Sequence, residues 1–283
     1  MSSYRQAYAW AKEELTKAGC ESPAFDALCL FSHRFGMDRT DLAVHGADPA
    51  RPEEEASFRS LVARRAEGYP LQYLLGEWEF MGLPFFVGEG VLIPRADTEL
   101  LCETGLAFLK GRRRPQVLEL CAGSGAVAVS LAHYAPGAQV TALEKSPLAL
   151  SYLRRNVSRH GVPVRVVEGD VLCEPDKTRK YDLIVSNPPY IPAGEIDTLM
   201  KEVSFEPRMA LDGGEDGLLF YRAILNGYRQ CLAGGGMLAV EIGAEQGEAV
   251  AGLFVKAGLS RVEVRQDFAG LDRVVCGLAQ GAG

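Results

Sequence analysis

From Ala96 onward the chain alternates short apolar runs with amphipathic stretches, and that alternation leaves few folds open. The runs are VLEL at 117–120, QVTALE at 139–144, VRVVEG at 164–169, YDLIVS at 181–186 and GMLAVEI at 236–242. Helical spacing fills the intervals near 96–110, from Ser124, from Ser146, near 215–232 and near 246–257. Strands of continuous apolar character separated by helices pair in parallel, with helices on both faces. The expected fold is a doubly wound α/β domain over 95–283 with a mostly parallel, seven-stranded sheet, ending in an antiparallel hairpin near 261–266 and 272–278.

The preceding residues have a different texture. Tyr4, Ala7, Tyr8, Ala11, Leu15 and Ala18 recur at helical spacing and stop at Gly19, and Ser22-Pro23 reads as an N-cap with proline in the first turn. Arg51-Pro52 followed by Glu53, Glu54 and Glu55 places three acids where a helix dipole favours negative charge. Residues 1–67 thus read as a small helical bundle. Residues 68–94, rich in aromatics and glycine with two extended runs about Met81-Gly82, read as a hairpin linker.

Composition narrows the function classes. A net charge of −7 argues against a partner held mainly through nucleic-acid phosphates or an anionic membrane surface. Seven scattered cysteines without a C-x-x-C indicate neither a disulfide framework nor a zinc site, and fit a reducing cytosol. His33, His45, His133 and His160 form no metal-ligating arrangement, so no metal is expected. The N-terminal residues lack the pattern of a leader, and no run approaches the length of a membrane span, so a cytoplasmic protein is expected. The basic run Lys110 to Arg114 reads as a solvated helix end.

Ligands of open α/β sheets bind beyond the carboxyl ends of the strands, so the residues there carry the functional reading. After the first strand comes Cys121-Ala122-Gly123-Ser124-Gly125, a turn that lets a ligand approach the backbone at a helix N-terminus. The next strand ends in Glu144, 19 residues after Gly125, a spacing at which an acid accepts hydrogen bonds from ribose hydroxyls. The third ends near Asp170-Val171, which could bond and pack an adenine or simply cap a turn. An adenosine-containing cofactor follows, although the dinucleotide pattern G-x-G-x-x-G is absent.

The fourth strand runs into Asn187-Pro188-Pro189-Tyr190. Its two prolines present Asn187 rigidly. A planar amide or exocyclic amine nitrogen is a poor nucleophile because its lone pair is delocalised. Two acceptors, the Asn187 side-chain oxygen and the Pro188 carbonyl, can hold both its N–H bonds, aim it at an electrophilic methyl and stabilise the charge that develops. Tyr190 offers a flat wall for a planar group.

This rim resembles that of the S-adenosyl-L-methionine-dependent amino methyltransferases, which share the NPPY signature whether they act on glutamine amides, DNA bases or ribosomal RNA. Further motifs narrow the likeness: RRAEGYPLQYLLG (64–76), VLIPRADTE (91–99), Asn187 to Ile191, EPRMALDGGEDG (206–217), EIGAEQG (241–247) and DFAGLDRVV (267–275). Together they resemble the release factor glutamine methyltransferases, the HemK or PrmC family. The resemblance implies a Rossmann-like class I methyltransferase fold with S-adenosyl-L-methionine as the only cofactor. It implies methyl transfer to the glutamine amide in the Gly-Gly-Gln loop of class I peptide chain release factors, which modulates translation termination. The helical domain would help hold that protein, and the chain would act as a monomer. Cys121, Ala122, Gly123, Ser124, Gly125, Glu144, Asp170, Val171 and Asn187 would bind the cofactor. Asn187, Pro188 and Tyr190 would be catalytic, with Pro189, Arg95 and Glu206 at the substrate mouth.

The family usually has glycine at the place of Cys121, aspartate at Glu119 and Glu144, and an aromatic residue near Val171. Alternatives at this point are a glutamine methyltransferase of a large-subunit ribosomal protein, a nucleic-acid amino methyltransferase and a non-catalytic cofactor-binding scaffold.

Overall fold

In the computed structural model, which describes residues 2–281, the chain divides into two compact units. One comprises Met1–Glu77 with Met200–Phe205, and the other Trp78–Leu199 with Glu206–Gly283.

The first unit is helical: α1 (Tyr4–Lys17), α2 (Pro23–Phe35), α3 (Arg39–His45), α4 (Pro52–Ala66) and α5 (Leu71–Leu75). Ser3 and Gln6 form a reciprocal capping box at α1, and Pro23 and Pro52 sit in the first turns of α2 and α4, where a missing N–H costs nothing. Phe31 and Phe58 meet edge to face, with centroids 5.9 Å apart, in a core closed by Leu15 and Leu30. The unit also holds a buried ion pair that extends to a half-exposed partner: Arg65 of α4 donates to Asp26 of α2 at 2.7 Å and to Glu202, of the Met200–Phe205 stretch, at 2.6 Å. Burial pushes the Asp26 carboxyl up and Arg65 pulls it back, the balance expected where a desolvated charge must be paired.

Two of these helices differ from the sequence reading. α3 buries Leu42 alone and is too short for periodicity to register; an Asp38–Asp41 capping box specifies it. α5 takes up part of the stretch read as a hairpin linker, and the hairpin itself is β1 (Glu77–Phe80) with β2 (Leu83–Phe86). Met81 and Gly82 at its turn have φ of 52° and 71°, the mirror-image turn whose twist suits paired strands. Met81 holds this disfavoured conformation because Glu99 accepts its N–H at 2.7 Å and Tyr134 donates to its carbonyl at 2.6 Å.

The second unit contains β3 (Gln116–Leu120), β4 (Gln139–Glu144), β5 (Val164–Glu168), β6 (Tyr181–Ser186), β7 (Leu232–Glu241), β8 (Ser260–Gln266) and β9 (Asp272–Leu278). They form one sheet in the order β5-β4-β3-β6-β7-β9-β8; the first five strands pair in parallel and β9 runs antiparallel to both β7 and β8. Alternate side chains enter two apolar layers. Val117, Leu183, Val185 and Ala239 pack toward α6 (Glu99–Leu109), α7 (Ala126–Tyr134) and α8 (Pro147–His160). Leu118, Leu120, Ile184 and Val240 pack toward α9 (Leu219–Gly227) and α10 (Gly247–Lys256). Three boundaries move from their sequence positions. α7 begins at Ala126, after Gly125 in a left-handed conformation, α9 gives way to a 3-10 turn at Tyr228–Cys231, and β7 starts at Leu232. The chain steps outward from β3 to β5 and then crosses to β6 on the other side of β3, so the switch point lies between β3 and β6.

Candidate active site

A cleft of about 360 Å³ opens beyond the carboxyl ends of β3, β4, β5 and β6. Of the residues singled out from sequence, Cys121, Gly123, Glu144, Asp170, Val171, Asn187 and Pro189 line it. Ala122, Ser124, Gly125, Pro188, Tyr190, Arg95 and Glu206 are not among its lining residues.

The wall built from β3 and β4 is held by its own backbone. Cys121 has a φ of 57° and Gly123 of 55°. A left-handed conformation is cheap for glycine and costs other residues about 1–2 kcal/mol, so Cys121 stands where glycine would sit without strain. Burial pushes the Cys121 thiol upward, so it stays protonated. Glu144 is not an idle acceptor: it takes the Gly123 N–H at 2.7 Å, that of Lys145 at 2.8 Å and that of Ser146 at 2.7 Å. It thereby pins the glycine turn to the end of β4. Asp170 pairs with Lys145 at 2.8 Å and accepts from the Leu172 N–H at 2.9 Å, and both interactions, Lys145 first, hold its carboxyl below the usual range. Behind the turn, buried Asn156 of α8 donates to the Ser124 carbonyl at 2.9 Å and exchanges bonds with Phe86 of β2.

The opposite wall follows β6. Ser186 anchors its end by donating to the Leu120 carbonyl at 2.8 Å, and the chain passes into Asn187-Pro188-Pro189-Tyr190. Residues 211–217 grip this segment: Ile191 donates to Leu211, Gly213 to Ile191 at 2.8 Å and Ala193 to Gly214 at 2.8 Å. A Cβ on Gly213 would stand 2.7 Å from Tyr190 Cα, and one on Gly217 would collide with the Tyr190 carbonyl, so the glycines permit this close approach. Gln246 completes the grip by donating to the Tyr190 carbonyl at 2.9 Å.

Asn187 Nδ2 donates to the Thr98 hydroxyl at 3.1 Å. Its side-chain oxygen and the Pro188 carbonyl receive no hydrogen bond among the described residues. The Tyr190 hydroxyl donates to Glu241 at 3.4 Å. Glu241, buried at the end of β7, has its carboxyl pushed up to about 7 by burial, with Asp97 adding to the rise and Thr98, Tyr190 and Arg273 opposing it. Arg95 and Glu206 pair with each other, and Glu206 also accepts the Ile93 N–H at 2.9 Å, so both fasten the edge of the 91–95 stretch.

Thr98, Asn156, Glu241 and Gln246 were not singled out as site residues from sequence. Thr98, Glu241 and Gln246 lie inside the quoted motifs 91–99 and 241–247, where a polar residue abutting an apolar strand or helix was the available signal. For Asn156, in mid-helix, only the fold reveals a role.

Two family models match the chain: PrmC N-terminal domain over residues 6–76 and methyltransferase small domain over residues 97–214. A release factor glutamine methyltransferase of Geobacter sulfurreducens is 46% identical over 277 residues, covering 96% of this chain and 95% of the relative. One from Bordetella pertussis is 44% identical over 252 residues, covering 89% and 93%. The crystal structure of a methyltransferase from Pyrococcus furiosus superposes with a TM-score of 0.52 at 22% identity, covering 71% of this chain and 91% of that one, a likeness of fold.

Proposed function

Because the chain belongs to the release factor glutamine methyltransferase family, we propose that it methylates the side-chain amide nitrogen of the glutamine in the Gly-Gly-Gln loop of class I peptide chain release factors, using S-adenosyl-L-methionine. A cytoplasmic location goes with that substrate, and no helix among the described residues is long and apolar enough to cross a membrane.

The cleft fits such a donor. Its volume lies in the range of small-ligand sites, roughly 300–1,000 Å³, and it sets Leu143 and Val171 beside the acids Glu144 and Asp170. An ionised carboxylate has about four acceptor positions, and the three backbone donors on Glu144 leave capacity for a ribose hydroxyl. When bound, S-adenosyl-L-methionine supplies an electrophilic methyl carbon.

The observation that carries the reading is the pair of open acceptors at Asn187 and Pro188. Asn187 is held by its NH2 group on Thr98, so its oxygen is available for one N–H of the glutamine amide. The Pro188 carbonyl takes the other. Two fixed acceptors orient the nitrogen and oppose the positive charge that grows on it as its lone pair is used. Once attack is under way the nitrogen becomes acidic, and its proton passes to water without needing a strong base. Tyr190, gripped from behind, walls the planar amide.

The test is mass spectrometry of release-factor peptides after incubation with protein and cofactor. A methyl on the Gly-Gly-Gln glutamine is expected. Label found instead on a ribosomal protein, or nowhere, overturns the assignment.

A further inference from the structure

Glu241 ends β7 at 2% exposure, and the transfer chemistry above makes no use of it. A carboxyl so deeply buried normally fills its bonding capacity. Here Oε2 has no hydrogen-bond partner among the described residues, and Oε1 receives the long contact from Tyr190. Thr98 accepts from Asn187 Nδ2, and its hydroxyl is near enough to Glu241 to oppose the rise of that carboxyl, though no hydrogen bond of ordinary length joins the two.

A hydroxyl has one hydrogen to give, and an ionised carboxylate can only accept. With Glu241 ionised, Thr98 turns its hydrogen to the carboxylate and its lone pair to the Asn187 NH2 group, which leaves the amide oxygen facing the substrate. With Glu241 protonated, the carboxyl can donate to Thr98, whose hydrogen is then free to go to Asn187. Thr98 keeps a second lone pair for the NH2 group, so the amide is no longer held in one orientation, and the acceptor is lost whenever it turns.

We infer that Glu241 is a positioning residue, which in its ionised form holds Asn187 through Thr98 in the orientation that accepts from the substrate amide; this rests on the role proposed for Asn187. The charged and titratable groups facing it are Asp97 from the turn before α6, Cys102 of α6, Tyr190 after β6, Tyr221 of α9 and Arg273 of β9. Arg273, itself paired with Asp97 at 3.3 Å and Asp267 at 2.9 Å, favours the charged form. Burial is the larger influence and brings the titration to about 7.

The experiment is single-turnover methyl transfer by the full-length chain, saturated with cofactor, from about pH 5.5 to 8.5. The rate should rise with a midpoint near 7. Glu241→Gln should lose the step and run roughly 10–100-fold slower at high pH, with cofactor affinity within about three-fold. Thr98→Val should also lose the step and Thr98→Ser restore it; this pair decides the matter if Glu241→Gln does not fold. A wild-type rate and step in Glu241→Gln overturns the inference, as does a rate loss explained wholly by weaker cofactor binding. A second readout needs no substrate: the Asn187 side-chain amide, identified in nitrogen-15 spectra by its loss in Asn187→Ala, should titrate in the wild type and stay still in Thr98→Val. Titration in a chain that leaves the release factor unmethylated sinks the proposed substrate alone, and a still amide in an active enzyme sinks the positioning role alone.

Discussion

The two walls of the cleft are finished to different degrees. On the β3–β4 side the polar groups are paired with the protein itself: Glu144 takes three backbone N–H groups and Asp170 holds Lys145. On the β6–β7 side the Asn187 side-chain oxygen and the Pro188 carbonyl accept no hydrogen bond among the described residues, and neither does Glu241 Oε2, buried outside the cleft lining. A satisfied wall keeps its shape with nothing bound, which suits a surface that must hold a donor in one register. An unsatisfied wall stores bonding capacity for a partner whose charge changes during reaction. The contrast teaches where binding and chemistry divide in this site.

Asn187→Ala breaks the contrast most severely. It removes one of the two open acceptors and should cost about 10²–10³ in single-turnover rate, with cofactor affinity, measured by calorimetry, affected far less. Asn187→Asp keeps an acceptor and should retain much more activity than alanine. Transfer by the alanine variant within a few-fold of wild type would reduce the NPPY segment to a structural turn.

Glu241 puts a stability cost on the open wall. Its carboxyl titrates higher in the folded chain, near 7, than in the unfolded one, so the folded state binds the extra proton. This group's contribution therefore falls as pH rises from the ordinary carboxylate range to about 7, by an amount on the order of 3 kcal/mol, and stays low above that. Glu241→Gln should gain stability relative to wild type between acid and alkaline urea titrations. An equal difference at both ends would show that Glu241 does not carry the proton.

On the finished wall, Glu144→Ala should weaken cofactor binding by roughly 1.5–3 kcal/mol without unfolding the chain. Because the same carboxylate fastens the Gly123 N–H, amide exchange at 121–125 should accelerate in the cofactor-free variant. Unchanged affinity by calorimetry would take Glu144 out of the site. The smallest effect belongs to Cys121→Gly, which relieves a left-handed backbone and should raise stability by about 1 kcal/mol with activity nearly unchanged. A destabilised glycine variant would mean that thiol packing outweighs the backbone strain.

Sequence patterning carried the sheet unit well, since strands apolar on both faces leave parallel pairing as the workable arrangement. It could not supply α3, whose burial is one leucine, or the helical turn of α5 within an aromatic-rich stretch. In the site, residues at strand ends were readable because the fold class fixes where ligands go. Their partners were not. That Glu144 reaches back 21 positions to the Gly123 N–H, that Arg95 meets Glu206 across 111, and that Thr98 receives Asn187 across 89 are long-range facts with no local signature.

The helical unit's second strip of chain, Met200–Phe205, is fastened by Glu202 to Arg65, and Arg65 in turn to Asp26. The polypeptide thus leaves the sheet unit and returns to it in the middle of the segment joining the NPPY motif to the glycines that grip it. No single proteolytic cut separates the two units. A truncation that discards the first 67 residues also strands Glu202 without its guanidinium, so dissecting the enzyme by halves requires replacing 200–205 as well.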